Sequence, residues 1–426
     1  MKITLFAAGS RGDIQPCVAL GKGLQQAGYR ARLAAPRDFA GFAQEHGVDF
    51  YPLRGDVQQI MAGDTGREFM QTGGGNPIKS IRAMRAMIAP IIERMADDAY
   101  AASLDADALL CLGVFSPFGK SIAEARRIPL INIEPTPLLP TRAFAAPSWF
   151  IQRNLGGLHN YLSGLAMLYV VWLWYQPFVN AFRQRLGLPP RGAAWFYRAL
   201  RSTPMLGMYS PALIPRPADW PEDARVTGYC FLDAQSDWNP PAELTAFLAA
   251  GEPPVYIGFG SMAGRNPEQL GRLAIEALAQ CGRRGVLLTG WGGLRAGPAP
   301  DTVFVADAAP HSWLFPRMAA VAHHGGAGTI AEGLRAGAPT IVVPFLFDQP
   351  FWGARVHAMG VGPAPIPQKS LTADRLARAI QIATTDSRMR QRARAYGEVI
   401  RVEDGVANAV SVIRRYLGAP RWADKE

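Results

Sequence analysis

The sequence predicts an α/β protein made of two successive domains, each built on a parallel sheet. Three observations lead there. Short apolar runs alternate with longer amphipathic segments from the first residues onward, which is the signature of strand–helix–strand units. The alternation breaks once, where Pro211, Pro215, Pro217 and Pro221 crowd ahead of Gly228, and then restarts. The length of 426 residues fits two or three domains at roughly 150 residues each.

In the first half the apolar run Ile3 to Ala8 reads as a strand, Ile14 to Ala27 as a helix and Ala31 to Ala35 as the next strand. Further strands are expected at Asp49 to Leu53, Ala108 to Leu112 and Leu130 to Ile133, with a long helix around Ile81 to Leu104 and a shorter one after Pro117. Leu158 to Leu186 is helix-length and rich in Leu, Trp, Tyr and Phe. A polar, aperiodic stretch from Asp233 to Pro241 places the domain boundary near Asp237, giving domains 1–236 and 237–426. After it come a helix at Ala242 to Ala250, a strand at Val255 to Gly258, a helix at Pro267 to Cys281, and strands at Gly285 to Leu288, Val303 to Val305 and Ala320 to His323. A helix at Gly328 to Arg335 and a strand at Thr340 to Val343 complete a second Rossmann-like unit. Helices at Leu371 to Thr384, Arg388 to Val399 and Val402 to Leu417 close the chain, the last expected to cross back to the first domain. Two such halves are expected to face a central cleft, with ligands beyond the carboxyl ends of their strands.

Composition narrows the function classes. Hydrophobic residues make up 49% and charged residues 18%, with 44 Gly and 35 Pro, which describes a globular chain with many tight turns rather than a disordered one. The net charge of +10 favours acidic partners, among them nucleotide phosphates and anionic lipid surfaces. Nucleic acid fits poorly, because no recognised motif is present and the arginines are dispersed. Cys17, Cys111, Cys230 and Cys281 are too scattered for a CxxC metal site or a disulfide framework, so a reducing, cytoplasmic setting is expected. The longest apolar run, Leu165 to Tyr175, spans eleven residues, where a membrane-crossing helix needs about twenty. It predicts a segment that touches a membrane rather than crosses one, and the arginines at 183, 185, 191, 198 and 201 that follow it resemble the flank of an interfacial anchor.

Chemistry concentrates in three loops. Val321 to Pro350 runs from an apolar strand into His323, His324, Gly325, Gly326, Ala327, Gly328 and Thr329, then into a helix. Small residues at such a turn let backbone amides approach a phosphate, and the helix N-terminus adds partial positive charge. The glycines alone serve equally well to make a tight turn; His324, able to donate to a phosphate, favours a diphosphate site. Glu332, one turn into that helix, offers a carboxylate to both hydroxyls of a ribose, or is simply a helical surface residue. Asp348 and Gln349 after the next strand offer acceptors and donors to several hydroxyls, as a sugar needs, although a DQ pair is as well suited to a turn or helix cap. In the first domain the loop Gly9, Ser10, Arg11, Gly12, Asp13 is no dinucleotide fingerprint. Asp13 is placed either to take a proton from a hydroxyl or to cap the helix that follows.

These stretches together resemble the bacterial and fungal sterol 3β-glucosyltransferases and, more distantly, the glycopeptide-antibiotic glycosyltransferases. The resemblance runs over nearly the whole chain: GSRGDIQP at Gly9 to Pro16, SPALIPRPADWPEDARVTGY at Ser210 to Tyr229, PPVYIGFGSM at Pro253 to Met262, PHSWLFPRM at Pro310 to Met318, HHGGAGT at His323 to Thr329 and PFLFDQPFWGARV at Pro344 to Val356. It implies the GT-B fold of two Rossmann-like domains and inverting, metal-independent transfer of glucose from UDP-glucose to a hydroxyl. The nucleotide sugar is then a substrate, and no cofactor is implied. By the same resemblance Asp13 is the general base, and Ser261, His324, Gly326, Gly328 and Thr329 hold the diphosphate. Glu332 meets the ribose, while Asp348 and Gln349 grip the sugar. Two positions depart from the plant relatives: the Trp that stacks on uracil there is Ala308 here, and their His base is replaced by Asp13.

Acceptor choice is expected in the first domain, whose long apolar loops supply Met84, Met87, Phe144, Trp149 and Trp172. Methionines and aromatics make adaptable greasy pockets, which suits a sterol, terpenoid or other lipid alcohol; at helical spacing the same residues serve equally well as core. Two other readings stand beside this one: a transferase acting on a macrolide, polyketide or glycopeptide aglycone, and a catalytically silent nucleotide- or lipid-binding protein.

Overall fold

A computed structural model of the chain describes residues 1–55, 77–149, 151–233, 238–260, 267–290, 294–295 and 297–418, without the side chains at 77–81, 84, 87 and 114. The chain divides into two compact units, Met1–Leu232 with Asp404–Glu426 and Asp233–Glu403. The last helix thus belongs to the first unit. The expected boundary residue, Asp237, lies outside the described residues.

In the first unit β1 (Lys2–Phe6), α1 (Arg11–Gln26), β2 (Arg30–Pro36), α2 (Ala40–Glu45) and β3 (Asp49–Leu53) are followed by α3 (Pro77–Ser103), β4 (Ala108–Leu112), α4 (Ser116–Arg126) and β5 (Leu130–Glu134). Then come α5 (Gly157–Arg185), α6 (Ala193–Ser202), β6 (Met205–Gly207) and β7 (Ala224–Val226). Among the described residues these strands form one seven-stranded sheet in the order β3-β2-β1-β4-β5-β6-β7, parallel at every pair. Order reverses beside β1, the kind of switch point at which open α/β sheets bind ligands. One core lies where Ile3, Leu5, Leu33, Leu110 and Ile133 meet Val18 and Leu24 of α1 and, from the far end of the chain, Ala409 and Ile413. The strands β6 and β7, on either side of the proline cluster, were not expected from the sequence. Three residues each are too few to show a period of two, and their pairing rather than their pattern makes them strands.

In the second unit α7 (Ala242–Ala249), β8 (Val255–Gly258), α8 (Pro267–Gln280), β9 (Gly285–Leu288), β10 (Val303–Ala306), α9 (His311–Leu314), β11 (Ala320–His323), α10 (Ala327–Ala336), β12 (Thr340–Val342), α11 (Gln349–Ala358), α12 (Ala373–Thr385) and α13 (Ser387–Val402) follow in order. The five-stranded parallel sheet runs β10-β9-β8-β11-β12. It packs Val255, Ile257, Leu287 and Ile341 on Leu270, Leu278, Leu376 and Ile380 on one face. The other face sets Tyr256, Val286 and Val321 on Leu244, Leu314 and Phe315. The final helix, α14 (Gly405–Leu417), completes the first unit, where the Asn408 amide donates to the Thr227 carbonyl at 3.0 Å and the Tyr416 hydroxyl to Asp223 at 2.6 Å.

The greasy segment is longer than its apolar run suggested. Gln176 and Pro177 do not end α5, which continues to 29 residues and is long and apolar enough to cross a membrane by length and composition alone, with a mean hydropathy of 1.3 over its best stretch. Its far end is docked in the first unit. The Arg183 side chain is fully buried, donates to both Glu124 oxygens at 2.8 and 3.1 Å and to the Pro189 carbonyl at 2.8 Å, and lies over the Trp195 ring. A buried guanidinium left without its counter-ion is strongly destabilising, so Glu124→Ala is expected to cost about 3 kcal/mol. Chemical denaturation checks this; a loss below about 1 kcal/mol, the size of an exposed pair, would contradict it.

Candidate functional site

The first unit carries one set of candidate residues. At the carboxyl end of β1, Gly9 has φ +135°, and a Cβ there would collide with the Asp13 carboxylate. Glycine is therefore the residue that lets this carboxylate lie over the turn. The Ser10 backbone N–H donates to Asp13 Oδ2 at 2.7 Å and the Ser10 hydroxyl to the same oxygen at 3.1 Å. The capping alternative for Asp13 holds in a different form: α1 opens at Arg11, Ser10 is its N-cap, and Asp13, the third helical residue, closes a capping box by accepting from the Ser10 N–H. Pro16, a residue favoured at the first helical position, made the helix read as starting later; it lies inside α1 instead. The carboxylate is thus fixed in orientation at a helix N-terminus, where negative charge is favoured.

The residues expected at the acceptor divide. Met84 and Met87 fall in α3 at positions whose side chains lie outside those described. Phe144 is half-buried, its ring edge-on to Trp220 with centroids 6.5 Å apart. Trp149 is also half-buried, in a turn where its N–H donates to the Ala146 carbonyl at 2.9 Å. Both lie on the segment between β5 and α5. Trp172 does not join them: only 1% exposed, it stacks on Phe196 of α6 at 5.4 Å and touches Trp195 at 5.9 Å. Its place on the acceptor is corrected to a core contact, because the indole fills the seam between α5 and α6.

The second unit carries the other set. β11 ends at His323, the turn passes through Gly325 at φ +93°, and α10 begins at Ala327 with Gly326 as N-cap. The first-turn amides of a helix have no intrahelical acceptor, so the backbone around Gly326, Gly328 and Thr329 presents donors backed by the helix dipole, a ready anion site. The His324 ring lies against this turn and the preceding loop: a Cβ on Gly326 would fall 2.6 Å from Nε2, and one on Gly260 3.3 Å from Cε1. Burial pushes this imidazole down to about 4, so near pH 7 it is neutral and donates through one N–H only. Ser261, next after Gly260, lies outside the described residues.

Glu332 sits on α10, 8% exposed, and burial pushes its carboxyl up to about 7; Arg335, 4.0 Å away, opposes that rise while also pairing with Asp233. For Asp348 and Gln349 the helix-cap alternative describes the backbone: Asp348 is the N-cap of α11 and Gln349 its first residue. Asp348 Oδ2 accepts from the Trp352 indole at 2.8 Å, and the Gln349 side-chain oxygen accepts from the backbone N–H of Phe345 at 2.8 Å and of Leu346 at 3.2 Å. The preceding residue, Phe347, holds φ +56°, a conformation that costs a non-glycine residue roughly 1–2 kcal/mol and that clusters at functional sites. A Cβ on Gly325 would lie 3.5 Å from Gln349 Cβ, so the turns after β11 and β12 touch. The fold therefore brings His324, Gly326, Gly328 and Thr329 beside Asp348 and Gln349 at the carboxyl edge of one sheet. Ala308 is exposed just beyond β10.

One residue of this half escaped the sequence reading. His323 is wholly buried, and its Nδ1 accepts from the Gly325 N–H at 3.0 Å, which fixes the turn that the glycines permit. The doubled histidine was the available signal, but only the three-dimensional path shows which ring faces inward. Among the described residues no group of three His, Cys, Asp or Glu side chains is placed to hold a metal.

Comparison with known proteins places both halves in familiar company. Residues 3–144 match the glycosyltransferase family 28 N-terminal domain, and residues 293–401 the C-terminal domain of the erythromycin biosynthesis protein CIII-like family. Two sterol 3-beta-glucosyltransferases of Arabidopsis thaliana are 38% and 35% identical over 98% of this chain, covering 66% and 68% of their own lengths. One from Aspergillus terreus is 37% identical over 98% of this chain and 30% of its own. This chain thus spans about two thirds of the plant relatives and less than a third of the fungal one. Among solved structures, the glycotransferase of kitacinnamycin superposes with a TM-score of 0.74 at 21% identity, covering 98% of this chain and 99% of that one. That likeness identifies the fold as GT-B.

Proposed function

The chain belongs to the sterol 3-beta-glucosyltransferase family, and on that premise we propose that it transfers glucose from UDP-glucose to the hydroxyl of a sterol or related hydrophobic alcohol. The observation that carries the reading is a similarity spanning 98% of the chain, so that the candidate residues of both units fall within it. Asp13 takes the acceptor hydroxyl proton as the oxygen attacks the anomeric carbon. The bond from that carbon to the diphosphate breaks in the same displacement, from the opposite face, and the configuration inverts. The charge growing on the departing diphosphate meets the α10 N-terminus and the His324 N–H, donors fixed in place before reaction, which is how enzymes lower such barriers. Ser261 joins these on family grounds. Asp348 and Gln349 take the sugar, the latter through its amide nitrogen, since its oxygen is committed to the backbone. The secondary-metabolite reading draws on the family match of residues 293–401 and on likeness in fold, and carries less.

Glu332 is assigned to the ribose, and its raised pKa gives this a pH signature. An ionised carboxylate accepts two hydroxyls better than a neutral one, so donor affinity is expected to improve as pH rises through about 7. Glu332→Gln should flatten the profile, measured as the dissociation constant of UDP-glucose from pH 5.5 to 8.5. Linkage runs the other way for stability: the contribution of this raised carboxyl is complete below its ordinary value of 4.5 and is lost as pH passes about 7.

Contact with an anionic membrane that delivers the acceptor belongs to the same proposal. Leu158, Leu162 and Tyr169 are 66%, 51% and 56% exposed at helical spacing along α5, an apolar stripe on a basic protein. The direct test of the whole reading is UDP release from UDP-glucose by the full chain over a panel of sterols, triterpenoids and aglycones, with and without acidic liposomes. Release stimulated by sterols supports it. Donor binding without release on any acceptor would favour the silent binding protein, and failure to sediment with the liposomes would remove the membrane contact.

A further inference from the structure

The proposed chemistry uses one carboxyl of the first unit, yet a second stands at the same sheet edge with no assigned role. Glu134, the last residue of β5, is 3% exposed, and its Oε1 is buried without a hydrogen-bond partner. Register fixes its level: Phe6 pairs with Cys111, and Leu112 pairs with Ile133. Glu134 is therefore level with Gly113, just beyond the ends of β4 and β1. On its other side it pairs with Gly207 of β6. A Cβ on Gly113 would fall 2.8 Å from Glu134 Oε2, and one on Gly207 would strike the Tyr209 ring. Two glycines thus make room for this carboxyl and its tyrosine neighbour, much as Gly9 makes room for Asp13.

The two carboxyls come from opposite faces of the sheet. Ile133, Leu112 and Ala7 face the α1 core, and Gly9, an even step beyond Ala7, has Asp13 of α1 above it. Side chains alternate along a strand, so Glu134, one residue past Ile133, faces the other way, as does Asn132, which accepts from Ser116 of α4 at 2.8 Å. Asp13 and Glu134 therefore bracket the carboxyl edge, two strand positions apart, or roughly 10 Å between strand axes.

A leucine or methionine would pack this position without desolvating a carboxyl. Burial holds the Glu134 carboxyl well above the usual carboxylate range, which favours its protonated form, with one O–H to donate as well as oxygens to accept. We propose that Glu134 is a specificity-determining residue whose carboxyl hydrogen-bonds a second oxygen of the acceptor, several ångströms from the hydroxyl that reacts at Asp13. The chain then selects polyoxygenated sterols or triterpenoids over those whose only oxygen is the reacting one. This rests on the acceptor half of the proposed function lying at the first unit's sheet edge.

The test pairs acceptors that share a 3-hydroxyl and differ by one added hydroxyl on ring B or C, with the full chain as wild type, Glu134→Gln and Glu134→Leu. Two ratios are read: kcat/KM within each pair, and acceptor affinity within each pair from tryptophan fluorescence. Wild type is expected to favour one of the diols by about tenfold or more, the size of one buried hydrogen bond. Gln, which can still donate and accept, should keep most of that preference, and Leu should bring the ratio close to one. A wild type indifferent to every added hydroxyl overturns the proposal whether or not Glu134→Leu folds, and so does a preference that Leu leaves intact. A purely structural Glu134 would lower the melting temperature of Leu without moving the ratio. If no sterol is turned over, the glucosyltransfer reading fails separately, and the binding ratio still decides the role of Glu134.

Discussion

Asp13→Asn is expected to lower kcat about a thousandfold, within the range that general-base removal costs, while leaving the affinity for UDP-glucose unchanged. Asparagine keeps an oxygen for the Ser10 N–H and hydroxyl that now donate to Asp13 Oδ2, so the start of α1 should survive the change. What it loses is the capacity to accept a proton. Single-turnover measurement of glucoside formation, with donor binding read separately by calorimetry, tests both halves of the statement. A kcat within tenfold of wild type would show that another group takes the proton, and would return Asp13 to a purely structural role at the helix start.

His324→Ala is the second large effect, expected at about a hundredfold in kcat, the cost of one fixed donor to a developing oxyanion. Its pH behaviour separates donation from charge. Because burial pushes the imidazole from 6.5 down to about 4, the rate should show no step from this group between pH 6 and 8. Stability carries the matching sign: a depressed histidine contributes fully above its ordinary value of 6.5, and the contribution is lost as pH falls through about 4. His324→Gln, which can still offer an N–H, should recover part of the rate. A wild-type rate step near 6.5 that His324→Ala removes would mean that the imidazole works as a cation instead.

Much of the fold was legible because it is written locally. The strands β4, β8, β9 and β11 coincide with their apolar runs residue for residue. The turn from His323 to Thr329 announced itself through small residues placed between a strand and a helix, a pattern whose physics needs no distant partner. The misread elements fail for equally local reasons. Pro16 and Pro177 sit inside helices that tertiary packing sustains, and the first of these begins at Arg11, three residues before the expected Ile14. At Asp348 the sequence left turn and helix cap open, and the structure takes the cap, because Pro350 serves the first turn of α11 as well as it would serve a turn.

Asp13, His324, Glu332 and Asp348 can be named from the chain because their residue types and loop positions limit what they can do. Direction, partner and burial cannot, since these depend on which strands lie side by side. Trp172 and Trp149 look alike in the sequence, and only the seam between α5 and α6 sends the first into the core. His323 and His324 are neighbours, yet one ring holds the Gly325 amide inside and the other lies against Gly260 and Gly326. Glu134 reads as the unremarkable end of a strand until the register places glycines on both sides and leaves its Oε1 without a partner. The sequence by itself determined the class of the two domains, the small-residue turn after β11 and the family. Which of its polar groups are desolvated, and therefore which are neutral at pH 7, was decided only by tertiary structure, because desolvation is a property of everything packed around a group and not of the residues beside it in the chain.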